Sequence, residues 1–195
     1  MNYRKIIILP AFFVLSNLIY IGCCKCPDSG NNFFEISNPL VEVYGDNHAV
    51  IDDGMVTHVD TVFLQYSFDN KCVAMQKKPF LFLVNEVSAC KCNECGFSGP
   101  KSKISSISIT SDSIYNGLAA NSLLNIFFKV QFTSDTNVSI DSLKNFVNAG
   151  HNRFSAVRMF TTTKPANDKS QAFSLKINFE DGTALATTSN RIFWM

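Results

Sequence analysis

Hydrophobic residues fall on every second position along most of this chain. Val62, Leu64, Tyr66 and Phe68 alternate with Thr61, Phe63, Gln65 and Ser67. Ile126, Phe128, Val130 and Phe132 share a face opposite Lys129 and Gln131, and Phe173, Leu175, Ile177 and Phe179 oppose Ser174, Lys176, Asn178 and Glu180. Successive side chains of a strand point to opposite sides, so this alternation sets one face on a core and the other in water. The same reading predicts strands at 33–37, 40–44, 80–87, 104–110, 156–163, 183–188 and 191–194. Asp181-Gly182, between two of them, predicts a two-residue type I′ hairpin turn, in which both central residues take positive φ.

Between Ser139 and Gly150 the spacing changes. Ile140, Leu143 and Phe146/Val147 recur at helical intervals, Ser139 is placed to cap the N-terminus, and Gly150 lies just past the end. A short amphipathic helix covering one end of the sheets is therefore expected. Many short strands and one short helix predict a mainly β chain, an antiparallel β-sandwich with an immunoglobulin-like arrangement among the options. The pattern leaves the strand topology open. No propeller or solenoid period interrupts it.

The chain begins differently. Arg4 and Lys5 precede an apolar run of 17 residues at 6–22 (IIILPAFFVLSNLIYIG), which leads into Gly22-Cys23. Charged start, apolar middle and small-residue junction form the layout of a secretory signal. Tyr20-Ile21-Gly22-Cys23 resembles the lipobox of bacterial lipoproteins, with Tyr20 where that pattern has Leu. The resemblance implies acylation of Cys23 and cleavage before it. Residues 1–22 are then the signal, 23–32 a polar, Gly/Pro-punctuated tether and 33–195 a single domain. The implied partner is a lipid bilayer, held by acyl chains that contribute roughly 0.8 kcal/mol per buried CH₂. Two alternatives are an uncleaved spanning helix and a soluble signal cut near Gly22. A run broken by Pro10, Ser16 and Asn17 is near the lower limit of about 17–25 residues for a spanning helix.

Charge narrows the function classes. Loss of residues 1–22 removes two of 17 cations and no anion, leaving 15 Lys+Arg against 16 Asp+Glu, a formal charge of −1. No cationic excess is available to neutralise phosphates, so nucleic-acid binding is not expected. Eighteen Phe, mostly within the alternating runs, supply much of the expected core.

Seven cysteines cluster as Cys23, Cys24 and Cys26 near the start, Cys72 alone, and Cys90, Cys92 and Cys95 as C-x-C-x-x-C. Three readings compete for the last four. As thiolates, Cys72, Cys90, Cys92 and Cys95 supply four sulfurs for a metal, although the second C-x-x-C knuckle of such sites is missing. As a thiol-exchange motif, Cys92-x-x-Cys95 lacks a βαβ context. As structural disulfides they suit an exported, oxidised chain, with Cys72 joined to one of the trio as the favoured pair. Neither a metal nor a cofactor is assigned.

The stretch 48–60 (HAVIDDGMVTHVD) brings His48, His58, Asp52, Asp53 and Asp60 into one expected loop, which could hold a cation or simply face water. His151 stands apart. Neither G-x-S-x-G nor H-E-x-x-H occurs, and no catalytic residue is nominated.

CCKCPD at 23–28, KISSISITSD at 103–112, NSLLNIFF at 121–128 and FEDGT at 179–183 resemble uncharacterised lipoproteins of gut and oral Bacteroidota, grouped as a domain of unknown function. The resemblance implies an exported lipoprotein of the cell envelope, anchored to the outer membrane on its periplasmic or outer side, and supplies no activity. A non-catalytic binding or structural module is the expected function. The alternative is a glycan-binding accessory or envelope enzyme, which a strip of aromatics on a flat face or a deep polar pocket would favour.

Overall fold

The computed structural model describes residues 33–73, 96–131, 136–150 and 155–195. In chain order its strands are β1 (Phe33–Tyr44), β2 (Val56–Thr57), β3 (Val62–Val73), β4 (Ile104–Ser111), β5 (Lys129–Gln131) and β6 (Asn137–Val138). After the helix α1 (Ile140–Ala149) come β7 (Ala156–Thr161), β8 (Ser170–Gln171), β9 (Phe173–Phe179), β10 (Ala184–Thr188) and β11 (Ile192–Trp194). The predicted strand at 80–87 lies outside the described residues.

The molecule is mainly β, with a sandwich-like arrangement that does not close into a barrel. One antiparallel sheet has the order β1-β3-β7-β5-β6, and a second has the order β10-β9-β4. A small third sheet, β2-β11-β8, mixes a parallel pair (β2 with β11) and an antiparallel one. Inward residues of both large sheets meet in one buried cluster, including Leu64, Tyr66 and Met159 from the first and Ile109, Leu175 and Ile177 from the second. Each of the leucines, isoleucines and Met159 contributes roughly 1.5–3 kcal/mol by leaving water. At one end of the core Phe173 receives Tyr115, Phe128 and Trp194 edge-on, with centroids 5.8, 5.3 and 6.2 Å away. The ring quadrupole favours that geometry. Tyr66 is fully buried on the inward face of β3, and its hydroxyl finds no hydrogen-bond partner among the described residues. Burial alone pushes that phenol well above its ordinary range.

Helix α1 forms as the spacing predicts. Ser139 accepts a hydrogen bond from the Ser142 N–H at 3.1 Å, Ile140, Leu143 and Val147 are buried, and Gly150 ends the helix at φ +81°. Gly150 also packs against the chain at 97–99, where a Cβ would stand 2.7 Å from the Phe97 carbonyl oxygen.

Three expectations need correction. The separate strands at 33–37 and 40–44 are one strand, β1, with its register to β3 shifted between Ser37 and Leu40. Asn38 takes φ +47° there and Pro39 follows, so the interruption is a bulge rather than a turn. The hairpin at Asp181-Gly182 is a three-residue loop, Glu180-Asp181-Gly182. The Gly182 N–H donates to the Phe179 carbonyl and the Phe179 N–H to that of Thr183. Of Asp181 and Gly182, only Gly182 (φ +85°) has positive φ, as in a type I turn closed by a glycine bulge. The strand predicted from Ile126 begins only at Lys129; Asn125–Phe127 is a 3₁₀ turn that leaves Ile126 77% exposed.

The side chain of Asn125 explains the last difference. β4 lies at the edge of its sheet, with outward N–H and C=O groups that need partners. Asn125 bonds the N–H of Ile109 (2.9 Å) through Oδ1 and the carbonyl of Ile107 (2.8 Å) through Nδ2. Asn148, on α1, does the same for the N–H and C=O of Ile104, both at 2.8 Å. The Leu124 N–H completes Ile109 at 2.8 Å. Two side-chain amides thus stand in for a missing neighbouring strand, and they dock α1 and the 3₁₀ turn onto the second sheet.

Asn148→Ala leaves the Ile104 N–H and C=O without these partners and should lower stability by about 1–3 kcal/mol. Urea unfolding measures it. A loss under about 0.5 kcal/mol, the range of an ordinary surface change, would show that the edge does not depend on this amide.

Candidate functional site

Cys72, near the end of β3, sits opposite Phe34 of β1. Cys23, Cys24, Cys26, Cys90, Cys92, Cys95 and His151 lie outside the described residues, as do the signal and tether at 1–32.

The stretch His48 to Asp60 does not gather its polar groups. His48 (φ +59°) occupies a turn in which its N–H donates to the Gly45 carbonyl. Asp53 accepts the Arg191 N–H at 2.8 Å, Asp60 pairs with Lys164 at 2.8 Å, and the His58 carbonyl accepts from the same lysine. Val56 and Thr57 form β2 rather than loop. Among the described residues no three His, Cys, Asp or Glu side chains come close enough to hold a metal.

A different set of residues is brought together on the outer face of the five-stranded sheet. Strand register places Tyr44, Phe63, Phe160 and Lys129 side by side across β1, β3, β7 and β5. The next outward row is Glu42, Gln65, Arg158 and Gln131. The three aromatics are half-buried, and the exposed His48 stands against the middle one, Phe63. Ring centroids lie 6.3 Å apart between His48 and Phe63 and 5.6 Å between Phe63 and Phe160, with planes tilted by 32° and 36°. Arg158 bridges the two rows. Its guanidinium stands 5.8 Å from the Phe63 centroid and donates to Gln65 Oε1 at 2.7 Å. The Tyr44 hydroxyl donates to Glu42 at 2.6 Å, and that bond to a carboxylate raises the Tyr44 pKa.

Sequence reasoning overlooked this strip, although Phe63 carries a signal. It stands among Thr61, Gln65 and Ser67, on the side that alternation assigns to water. The outer face of the other large sheet shows the ordinary case, with Ser106, Ser108, Ser174, Lys176, Asn178 and Thr188.

Where β1 and β10 meet, an open groove of about 320 Å³ runs past Phe34, Ile36 and Leu185. Several of its polar groups are engaged with one another. Lys101 is paired with Glu35, which raises the lysine pKa, and Asp181 accepts both the N–H (2.9 Å) and the hydroxyl (2.6 Å) of Thr183. Those bonds hold the Asp181 carboxyl below its ordinary value.

The Asp181 shift carries a pH dependence. A carboxyl depressed in the folded state contributes its stabilisation above the unfolded pKa and loses it as pH falls through the folded value. Titration followed by NMR should find Asp181 below 3.8, rising toward it in Thr183→Val, which removes the hydroxyl donor. A midpoint at or above 3.8 in the unmodified protein would discard the Thr183 bonds as its cause.

No family model, no curated protein and no solved structure matches this chain.

Proposed function

We propose that this is an exported lipoprotein, held in the outer membrane of a bacterial envelope through acylated Cys23, whose β domain is a non-catalytic binding module. The start of the chain supports the anchor: Arg4 and Lys5, the apolar run and Gly22-Cys23. One observation carries the binding role, the strip Tyr44–Phe63–Phe160 on the water-facing side of a sheet. Aromatics there forgo burial that the core would give them, and large outward apolar groups mark interaction surfaces. A glycan-binding accessory is the form of this reading that the strip favours, ahead of an envelope enzyme.

Lipid anchoring is tested with Cys23→Ala. Unmodified protein should incorporate labelled palmitate and sediment with membranes, the variant should do neither, and inhibition of the lipoprotein peptidase should leave a precursor. A variant that is processed and fractionates like the unmodified chain would remove the anchor.

Export also predicts the state of the cysteines. Cys72 should be disulfide-bonded to one of Cys90, Cys92 and Cys95, with no stoichiometric metal, because an exported thiol cluster without histidine partners oxidises more readily than it keeps zinc. A bridge from Cys72 to Cys90 closes a loop of 19 residues, worth roughly 3 kcal/mol on the chain-entropy estimate. Alkylation before and after reduction with peptide mapping decides it. Four thiols alkylated in native protein would refute the bridge, and one zinc per chain would replace it with a metal site.

A further inference from the structure

We propose that the outer face of the five-stranded sheet binds carbohydrate, with Tyr44, Phe63 and Phe160 stacking on sugar rings and Glu42, Gln65, Arg158 and Gln131 bonding their hydroxyls. This inference rests on the binding-module reading and names the ligand class for its surface.

A pyranose presents two kinds of surface, C–H groups on its faces and hydroxyls around its rim. A complementary protein surface needs flat aromatic area beside planar donors and acceptors, held on a rigid base. Here the aromatic and polar rows are adjacent, fixed by backbone register on neighbouring strands rather than by a loop. Neighbouring strands are about 4.8 Å apart, and Phe63 and Phe160 stand 5.6 Å apart, a spacing comparable to one sugar residue. A chain of sugars lying across the strands would therefore meet successive rings. The Phe63 and Phe160 planes are tilted by only 36° to one another, so the two rings present neighbouring surfaces of similar orientation.

The polar row suits hydroxyls. Beyond the Arg158–Gln65 and Tyr44–Glu42 bonds, Arg158 keeps further N–H donors, Gln65 its amide N–H groups, Glu42 a second carboxylate oxygen, and Gln131 carries donors and an acceptor. The two rows hold Glu42, Arg158 and Lys129, charges of both signs without a strong field, which fits a neutral ligand better than a nucleic acid. A protein partner fits less well. Protein hot spots are usually fully desolvated pockets, whereas these rings are half-buried on the outward side of the sheet. The outward rows of the opposite sheet carry serines, Asn178 and Lys176 and no aromatic ring.

The test uses the full chain, extracted from membranes in mild detergent and run in native gels containing xyloglucan, arabinoxylan, mixed-linkage β-glucan, galactan or glycans released from mucin. At least one should retard the protein. Phe63→Ala and Phe160→Ala should each weaken that binding by about tenfold or more, equivalent to about 1.4 kcal/mol, and Lys176→Ala on the opposite sheet should leave it unchanged. Gln65→Ala and Arg158→Gln keep the rings and should also weaken binding, so the inference stays testable if an aromatic variant unfolds. Absence of retardation with all five glycans would overturn the proposal. So would retardation that survives the Phe63, Phe160, Gln65 and Arg158 changes, or that Lys176→Ala abolishes. Membrane fractionation is read separately: glycan binding without membrane association sinks the anchor and leaves this inference standing.

Discussion

The free edge of β4 imposes a requirement that reaches through both sheets. Ile104, Ile107 and Ile109 bury that strand in the core, yet it has a neighbour on one side only, β9. Its outward amides cannot be left dry and unbonded, because each such group would cost about 1–3 kcal/mol. Asn125 and Asn148 meet the demand with side chains whose N–H and C=O copy the spacing of a backbone unit. Because Asn148 is on α1, the helix must end where it does, and Gly150 then follows at positive φ against residues 97–99. Because Asn125 opens a 3₁₀ turn, β5 starts late and Phe128 enters the core beside Phe173. One hydrogen-bonding constraint thus positions a helix, a turn and a strand.

This division explains what could be read from the residues. Period-two alternation reports burial on one side of a strand, and it located β3, β4, β7 and β9 because their burial is decided locally by the pleat. The cap Ser139, the helical spacing and Gly150 are local in the same sense. The edge closure is not local: Asn125 and Asn148 act 16 and 44 residues away from the amides they satisfy, and nothing beside them in the sequence marks them. Alternation places Ile126 inward for that reason; it continues through this residue while the backbone leaves the strand. The outward strip was half legible. Phe63 violates its own alternation, but Tyr44, Phe63 and Phe160 become neighbours only through pairing that no local pattern encodes.

The two large sheets differ in what they turn to water. Serines, threonines and Asn178 clothe the β10-β9-β4 side, and several bond across strands, as Ser174 does with Thr188 at 2.8 Å and Asn178 with Ser106 at 2.8 Å. Such a surface satisfies itself. The β1-β3-β7-β5 side couples rings and a guanidinium to amide groups, so flat apolar area and directional polarity alternate over a few ångströms. Stability of the fold calls for inward residues, and these are supplied on both sheets alike; it does not call for the outward contrast.

The bulge in β1 has a consequence for the protein's neighbours. β1 ends the five-stranded sheet, and the middle of an edge strand invites pairing with the same strand of another copy. At Asn38 the backbone swings to positive φ, and Pro39 offers no N–H at all. A chain tethered to a membrane as proposed above meets its copies in two dimensions, where crowding multiplies encounters between edges. The interruption at residues 38 and 39 spoils the straight ladder such encounters need, so dense packing on a surface need not become fibre growth.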